Sequence, residues 1–371
     1  MKKRLREKAL EIGFADVGFA VAKPMDLYIR EIASRPPEMY GFTITASFDV
    51  RRGADITRKH PWAKSLVVLV RNYHKYLFPR QLIGRIGRCY QVDERKEKKE
   101  EYLRIVAYFH FLKNEGIRFY LDQEMPARMA AATAGVANYG KNCFAYANRI
   151  MRGASWIEIM PLVIDKELEP DEPTIAYKCP DWCRNACIAA CPTKAIYAPG
   201  KMNPHLCIAY NSYYGSGITH AALREPMGGW VYGCDRCQQV CPRNAAYENQ
   251  HLPVNEPLEA RAGNFRLEQL LTMTDEYYAE KIWPLCFYIS RKNKAKWQMN
   301  AARAMGNSSD RDYLPYLIAA LGENSAEMVR GMCAWSLGRL GGEKAKAALE
   351  TRRTSDSEAV CREIEAALSL I

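Results

Sequence analysis

Across roughly the first 170 residues, short runs of β-branched and aromatic residues alternate with longer stretches in which apolar positions recur at helical spacing. The runs Asp16–Val21, 65–70, 117–121 and 156–163 predict strands, while Glu100–Asn114 and 127–134 predict helices. An α/β layer is the expected result. Alternating charges over 94–101 read as the exposed face of a helix carrying Glu–Lys pairs. The stretch ELEPDEP at 167–173 reads as an acidic, proline-bearing linker, and a cysteine-dense section follows it to about residue 249. After a loop over 251–259 the pattern is mostly helical. AARAMG at 301–306 and CAWSLG at 333–338 align at a spacing of 32 residues, and the same small-and-apolar rhythm returns at 364–368. Helical pairs at that period predict HEAT-like repeats, each too small to bury its apolar face without a stacked neighbour. Cys333 and Cys361 fall on those apolar faces and read as core residues.

The chain has 371 residues and is 48% hydrophobic, enough for two or three compact units. No run approaches membrane-spanning length and no signal-peptide pattern opens the chain, so the expected compartment is the cytoplasm. A formal charge of +11 suits either an anionic partner such as RNA or a solvated surface.

Thirteen cysteines change the picture, because eight of them fall between Cys179 and Cys241. In a reducing compartment that clustering argues for metal or cluster ligation over disulfides. Cys179, Cys183, Cys187 and Cys191 are spaced four apart; Cys234 and Cys237 are followed by Cys241; and both groups end in Cys-Pro. In two-cluster ferredoxins the cysteine before the proline ligates the other cluster. That pattern predicts one [4Fe-4S] cluster on Cys179, Cys183, Cys187 and Cys241, and a second on Cys191, Cys207, Cys234 and Cys237. A pair of four-cysteine zinc sites is the competing reading. The first two gaps hold three residues where the usual bacterial run holds two, which lengthens the loop around the cubane.

Further motifs carry a resemblance. Cys191-Pro192-Thr193 with Ala195, Cys207-Ile208 with Tyr210, and Gly229-Trp230-Val231-Tyr232-Gly233-Cys234-Asp235 continuing through Cys241-Pro242 resemble the epoxyqueuosine reductases, cobalamin- and iron-sulfur-dependent enzymes related to the reductive dehalogenases. Asp16-Val17-Gly18-Phe19, Ala63-Lys64-Ser65, Gly140-Lys141-Asn142 and the C-terminal repeats extend it over nearly the whole chain. The resemblance implies an α+β multidomain fold: a nitroreductase-like α/β domain over 1–166 holding base-off cobalamin, a ferredoxin-like double-cluster domain over 167–250, and a helical region over 251–371 ending in HEAT-like repeats. It implies reduction of epoxyqueuosine to queuosine at the tRNA wobble position, recognition of the anticodon stem-loop, a separate electron donor and a monomeric enzyme.

The family's acid is an aspartate at a strand end, which by this match is Asp122. Read alone, that residue would more often cap the following helix. Arg85, Arg88 and Cys89, in the basic stretch RQLIGRIGRC, together with Tyr210, are candidate cobalamin contacts. Arg330, Arg339, Lys344, Lys346, Arg352 and Arg353 would form a phosphate-binding face on the repeats if they share one side. Two family stretches are missing: Ala132-Thr133-Ala134-Gly135 stands where Glu-Arg-Ala-Gly is usual, and residues 91–99 lack Gly-x-Asp-Tyr-His. A corrinoid-dependent reductase of a small molecule and an iron-sulfur electron carrier are therefore the alternatives.

Overall fold

A computed structural model describes residues 1–176, 179–248 and 251–371. It divides into two compact units, each drawn from three stretches of chain: 1–75, 98–204 and 236–252 form the first, and 76–97, 205–235 and 253–371 the second. The expected boundary at 166/167 falls inside the first unit, and the one at residue 250 lies outside the described residues.

The first unit is built on an antiparallel sheet. Its strands are β1 (Asp16–Val21), β2 (Ser65–Asn72), β3 (Phe119–Leu121) and, after the hairpin β4 (Ala137–Tyr139) and β5 (Ala145–Ala147), β6 (Ile157–Ile164), in the order β1-β2-β6-β3. Strand β2 is buried on both faces, because side chains two apart point the same way and each face has its own cover. Val67 and Leu69 pack with Leu5, Tyr108 and Leu112 from the Lys2–Ile12 and Glu100–Asn114 helices; Leu66, Val68 and Val70 pack with Met129 and Ala130 from the Ala127–Thr133 helix. The register of β3 against β6 runs Phe119–Ile164, Tyr120–Val163 and Leu121–Leu162. The next position would set Asp122 against Pro161, which has no N–H to extend the ladder. The sheet therefore lets go of the chain at Asp122. Charges over 94–99 form turns instead of a helix; the helix starts at Glu100.

In the second unit, residues of the 76–97 and 205–235 stretches join the helical core. Ile86 bridges Tyr232, whose ring stacks on Trp297 at 4.8 Å, and Glu94 and Glu97 pair with Arg261. The helices Lys294–Ser308, Glu327–Leu340 and Glu358–Leu368 stack in succession, with Leu314–Glu323 and Glu343–Arg352 as their partners. The glycines of the two sequence repeats explain the stack: a Cβ on Gly306 would lie 2.6 Å from Ser336 Oγ, and one on Gly338 would lie 2.8 Å from the Cα of Ala367. Only glycine lets successive helices approach so closely. Cys333 is fully buried as expected, but Cys361 is half-buried and its thiol meets Asp356 O at 3.5 Å, at the repeat's edge. Among the described residues no helix is long and apolar enough to cross a membrane.

Candidate active site and cluster ligands

Released at the end of β3, Asp122 is 2% exposed and fully engaged. Its Oδ1 accepts from Lys59 Nζ at 2.6 Å and from the Glu124 N–H at 2.9 Å, and His60 Nε2 lies 2.9 Å from Oδ2. Pro126 occupies the N-cap position of the following helix, so Asp122 does not serve as its cap. Glu124 extends the knot: it takes Lys59 Nζ at 2.6 Å, both arms of Arg52 and the Asp49 N–H. Those hydrogen bonds, Arg52's foremost, hold the Glu124 carboxyl down at about 2, against the effect of burial. Burial works against the Lys59 ammonium, yet its bonds to Asp122 and Glu124 raise its pKa above the ordinary lysine value. The backbone of this loop rests directly on Gly53, where a Cβ would lie 2.6 Å from Met125 N and closer still to Glu124. A cavity of about 540 Å³ beside the knot is lined by Arg51, Arg52, Arg58 and Lys59, with Asp49 and Asp55.

A second cavity of the first unit, about 840 Å³, runs from the Asp26–Ala33 helix to residues 199–202. Leu27, Ile32, Met129 and Ile175 give it apolar walls, and Arg35, Tyr40, Arg128 and Cys143 its polar groups. Arg35 is held by Glu31 at 2.6 Å and by Gly200 O at 3.1 Å. Apolar walls with a few polar groups are the usual make-up of a small-molecule site.

Six of the predicted cluster ligands belong to this unit, and the four of the first set lie together. Cys187 is buried, and its thiol is pushed up to about 11 by that burial and then by the neighbouring Cys183, Cys241 and Cys179 thiols. The predicted first set is thus brought to one place. Two donors already address its sulfurs: the Lys141 N–H reaches Cys179 Sγ at 3.3 Å, and the Tyr146 hydroxyl reaches Cys241 Sγ at 3.1 Å. Asn142 supports both sides, donating to Tyr146 Oη at 2.9 Å and to Cys237 O at 3.2 Å. The Gly140-Lys141-Asn142 motif therefore packs against the gathered cysteines. The extra residue between Cys183 and Cys187 is absorbed by two consecutive left-handed residues, Arg184 (φ 45°) and Asn185 (φ 62°). Among the described residues no group of three or more Cys, His, Asp or Glu side chains is placed to hold a single metal ion. Cys191 is buried and Cys237 partly so in the first unit.

Cys207 and Cys234 belong to the second unit, as do Arg85, Arg88, Cys89 and Tyr210. None of the last four lines the 840 Å³ cavity. The Arg85 carbonyl accepts from Val231 N–H at 2.7 Å, the Arg88 N–H donates to Asp235 Oδ2 at 2.9 Å, and Tyr210 lines a separate cavity of about 570 Å³ with Tyr214 and Lys296. On the repeats, Arg330 and Arg352 pair with Asp356, Arg353 with Glu365 and Arg339 with Glu225. Of the six basic residues read as a phosphate-binding face, only Lys344 and Lys346 lack a carboxylate among the described residues. Sequence reasoning missed Lys59, His60 and Glu124; the His60-Pro61 turn before β2 was the one local signal near them.

Residues 179–244 match the family described as the 4Fe-4S double cluster binding domain, and residues 285–369 match HEAT repeats. The chain is 26% identical to the epoxyqueuosine reductase of Bacillus cereus over 97% of its own length and 94% of the relative's, and 26% identical to that of Bacillus subtilis over 100% and 96%. A solved structure of the Bacillus subtilis epoxyqueuosine reductase, described with its catalytic loop swung out of the active site, matches at a TM-score of 0.81 and 25% identity, covering 100% of this chain and 98% of that one. A crystal structure of an epoxyqueuosine reductase with an epoxyqueuosine-modified tRNA stem loop shares the fold at a TM-score of 0.81 and 24% identity, with the same coverage. The resemblance read from the motifs holds along the whole chain.

Proposed function

We propose that this chain reduces the epoxide of epoxyqueuosine in tRNA to the alkene of queuosine, taking up two electrons and two protons and releasing one water. The observation that carries this is the likeness to epoxyqueuosine reductases over the full chain, in sequence and in fold. The stem-loop complex of a relative supports tRNA as the partner, and the cavity lined by Arg51, Arg52, Arg58 and Lys59 supplies cations for its phosphates. The double-cluster match supports electron entry through two cubanes. Cys179, Cys183, Cys187 and Cys241 are read as ligands of one, and Cys191, Cys207, Cys234 and Cys237 as ligands of the other.

The apolar and basic lining of the 840 Å³ cavity supports reading it as the corrin site: Leu27, Ile32 and Met129 would flank the macrocycle, and Arg35 and Arg128 would meet its amides. Bound there, cobalamin would supply the low-potential reduction of the epoxide carbon. Arg85, Arg88, Cys89 and Tyr210 stand as further cofactor contacts on the sequence reading alone.

Proton delivery falls to Asp122, because the departing oxygen must be protonated as its bond to carbon breaks. A carboxylate held by Lys59 and His60 and almost closed to solvent reaches a substrate only when its loop moves. Movement of the catalytic loop in the relative supports such a step. Lys59, Glu124 and Arg52 then act as the resting dock of that loop. The division into a cofactor domain, a cluster domain and repeats describes functional modules, in a monomeric cytoplasmic enzyme served by a separate electron donor.

Incubation of the reduced protein with cobalamin and a tRNA stem-loop carrying epoxyqueuosine tests the proposal: mass spectrometry should find the loss of one oxygen. Cobalamin binding with untouched tRNA would point to a small-molecule substrate instead.

A further inference from the structure

The Lys294–Ser308 helix presents a row of polar side chains, Lys296, Asn300, Arg303 and Asn307, inside the second unit. Steps of four, three and four residues keep them on one face. Every one donates to main-chain carbonyls of the stretch that carries Cys207 and Cys234. Lys296 Nζ reaches Gly215 O at 2.6 Å; Asn300 Nδ2 reaches Ser212 O at 2.8 Å and Val231 O at 3.0 Å; Arg303 donates to Gly228 O at 2.7 Å and to Trp230 O; Asn307 Nδ2 reaches Arg224 O at 2.8 Å and Gly228 O at 3.0 Å. The link to the thiols is short. Cys207 opens the Ile208–Tyr213 helix that holds Ser212, and Ser212 Oγ accepts from the N–H of Gly233, the residue before Cys234.

Asparagine alone would satisfy these carbonyls, so the two cations need a separate reason. Lys296 is 2% exposed and Arg303 fully buried, and among the described residues neither has a carboxylate partner. Burial pulls the Lys296 amine down to about 8 and the Arg303 guanidinium to about 9, so both are still cations at neutral pH. Uncompensated buried charge is costly unless something anionic lies near. A cubane with four thiolates is an anion, and it gains a further negative charge on reduction.

We propose that Lys296 and Arg303 are positioning residues for electron transfer, a fixed positive charge that raises the reduction potential of the cluster ligated by Cys207 and Cys234. The inference rests on the double-cluster reading above. With a helical rise of 1.5 Å per residue, both cations lie within about 6 Å along the axis of Asn300, which braces both ligand-bearing segments. A unit charge roughly 10 Å from the cluster, across an effective dielectric of about 20, biases a one-electron equilibrium about tenfold.

The test uses the full-length protein, purified without oxygen, with iron and sulfide counted first. Redox titrations followed by electron paramagnetic resonance then compare wild type with Lys296→Gln, Arg303→Gln and Arg303→Lys. Glutamine keeps a donor and loses the charge. Each glutamine variant should lower the potential of one cluster by about tenfold in the oxidised-to-reduced ratio, about 59 mV, while Arg303→Lys stays near wild type and the other cluster does not move. Unmoved potentials in the glutamine variants would overturn the inference, as would equal shifts in both clusters or a lysine variant shifted as far as the glutamine one. If Arg303→Gln does not fold, Lys296→Gln decides alone. Wild-type protein with fewer than two cubanes would refute the double-cluster reading and this inference with it.

Discussion

Gly53→Ala perturbs the dock of the Asp122 loop without touching a polar group. The added Cβ would sit 2.6 Å from Met125 N and closer to the Glu124 carbonyl, where ordinary contact begins near 3.4 Å. Both neighbours are backbone, so the loop must retreat by about 1 Å. Overpacking of this kind costs about 1–3 kcal/mol, and all of it falls on the docked state because the released loop meets no clash. Docking should therefore weaken by roughly 5- to 150-fold. Hydrogen exchange reads this directly, since the Glu124 N–H is held by Asp122 Oδ1 and the Met125 N–H by Asp122 O. Protection of those two amides should fall by that factor, while amides of β2 keep theirs. Gly322→Ala is the matched control: a Cβ there meets nothing within 4 Å and the site is helical, so it should be neutral or slightly stabilising. Unchanged protection at 124 and 125 in Gly53→Ala would refute the account of a loop docked on that glycine.

Asp122→Asn should keep its iron content yet slow epoxide reduction at least about a hundredfold, measured by single-turnover conversion of the modified stem-loop; wild-type conversion would remove Asp122 from proton delivery. Tyr146→Phe deletes the hydroxyl that reaches Cys241 Sγ, and should lower the potential of one cluster without loss of iron, as read by a redox titration. The depressed Glu124 carboxyl has a stability signature: its contribution is complete above the unfolded value near 4.5 and is lost as pH falls through about 2. Urea midpoints between pH 6 and 2 should thus fall less steeply in Glu124→Gln than in wild type, and parallel curves would contradict the low value.

Much of the scaffold was legible because it is periodic. Strand β1 and the Glu100–Asn114 helix have the predicted limits, and the repeat glycines mark the stacked helices. The Cys-Pro endings, with the spacing, grouped Cys241 with Cys179, Cys183 and Cys187, and in the structure Cys183, Cys241 and Cys179 are neighbours of Cys187. What failed to show was pairing across distance. Charge alternation over 94–99 looked like a helix, but Arg261 holds Glu94 and Glu97 in turns. Arg330 and Arg353 looked available for phosphate, but carboxylates 26 and 12 residues away neutralise them. The partners of Asp122 on the near side of β2 are 62 and 63 residues distant and follow no period. Lys296 and Arg303 on the Lys294–Ser308 helix are buried, and no period or motif in the sequence marks them as such.

Because each unit is stitched from three separated stretches, neither exists as a contiguous piece of polypeptide. Residues 236–252 complete the first unit, so its assembly on a ribosome waits until about two-thirds of the chain has been made, with Cys179 to Cys191 already synthesised and awaiting Cys241. A recombinant fragment covering only 167–250 would hold all eight clustered thiols but little of either hydrophobic interior. Iron loading by such a fragment would be governed by an open chain, so cluster insertion in this protein belongs late in folding, as a finishing step on a scaffold that sequence-distant segments have closed.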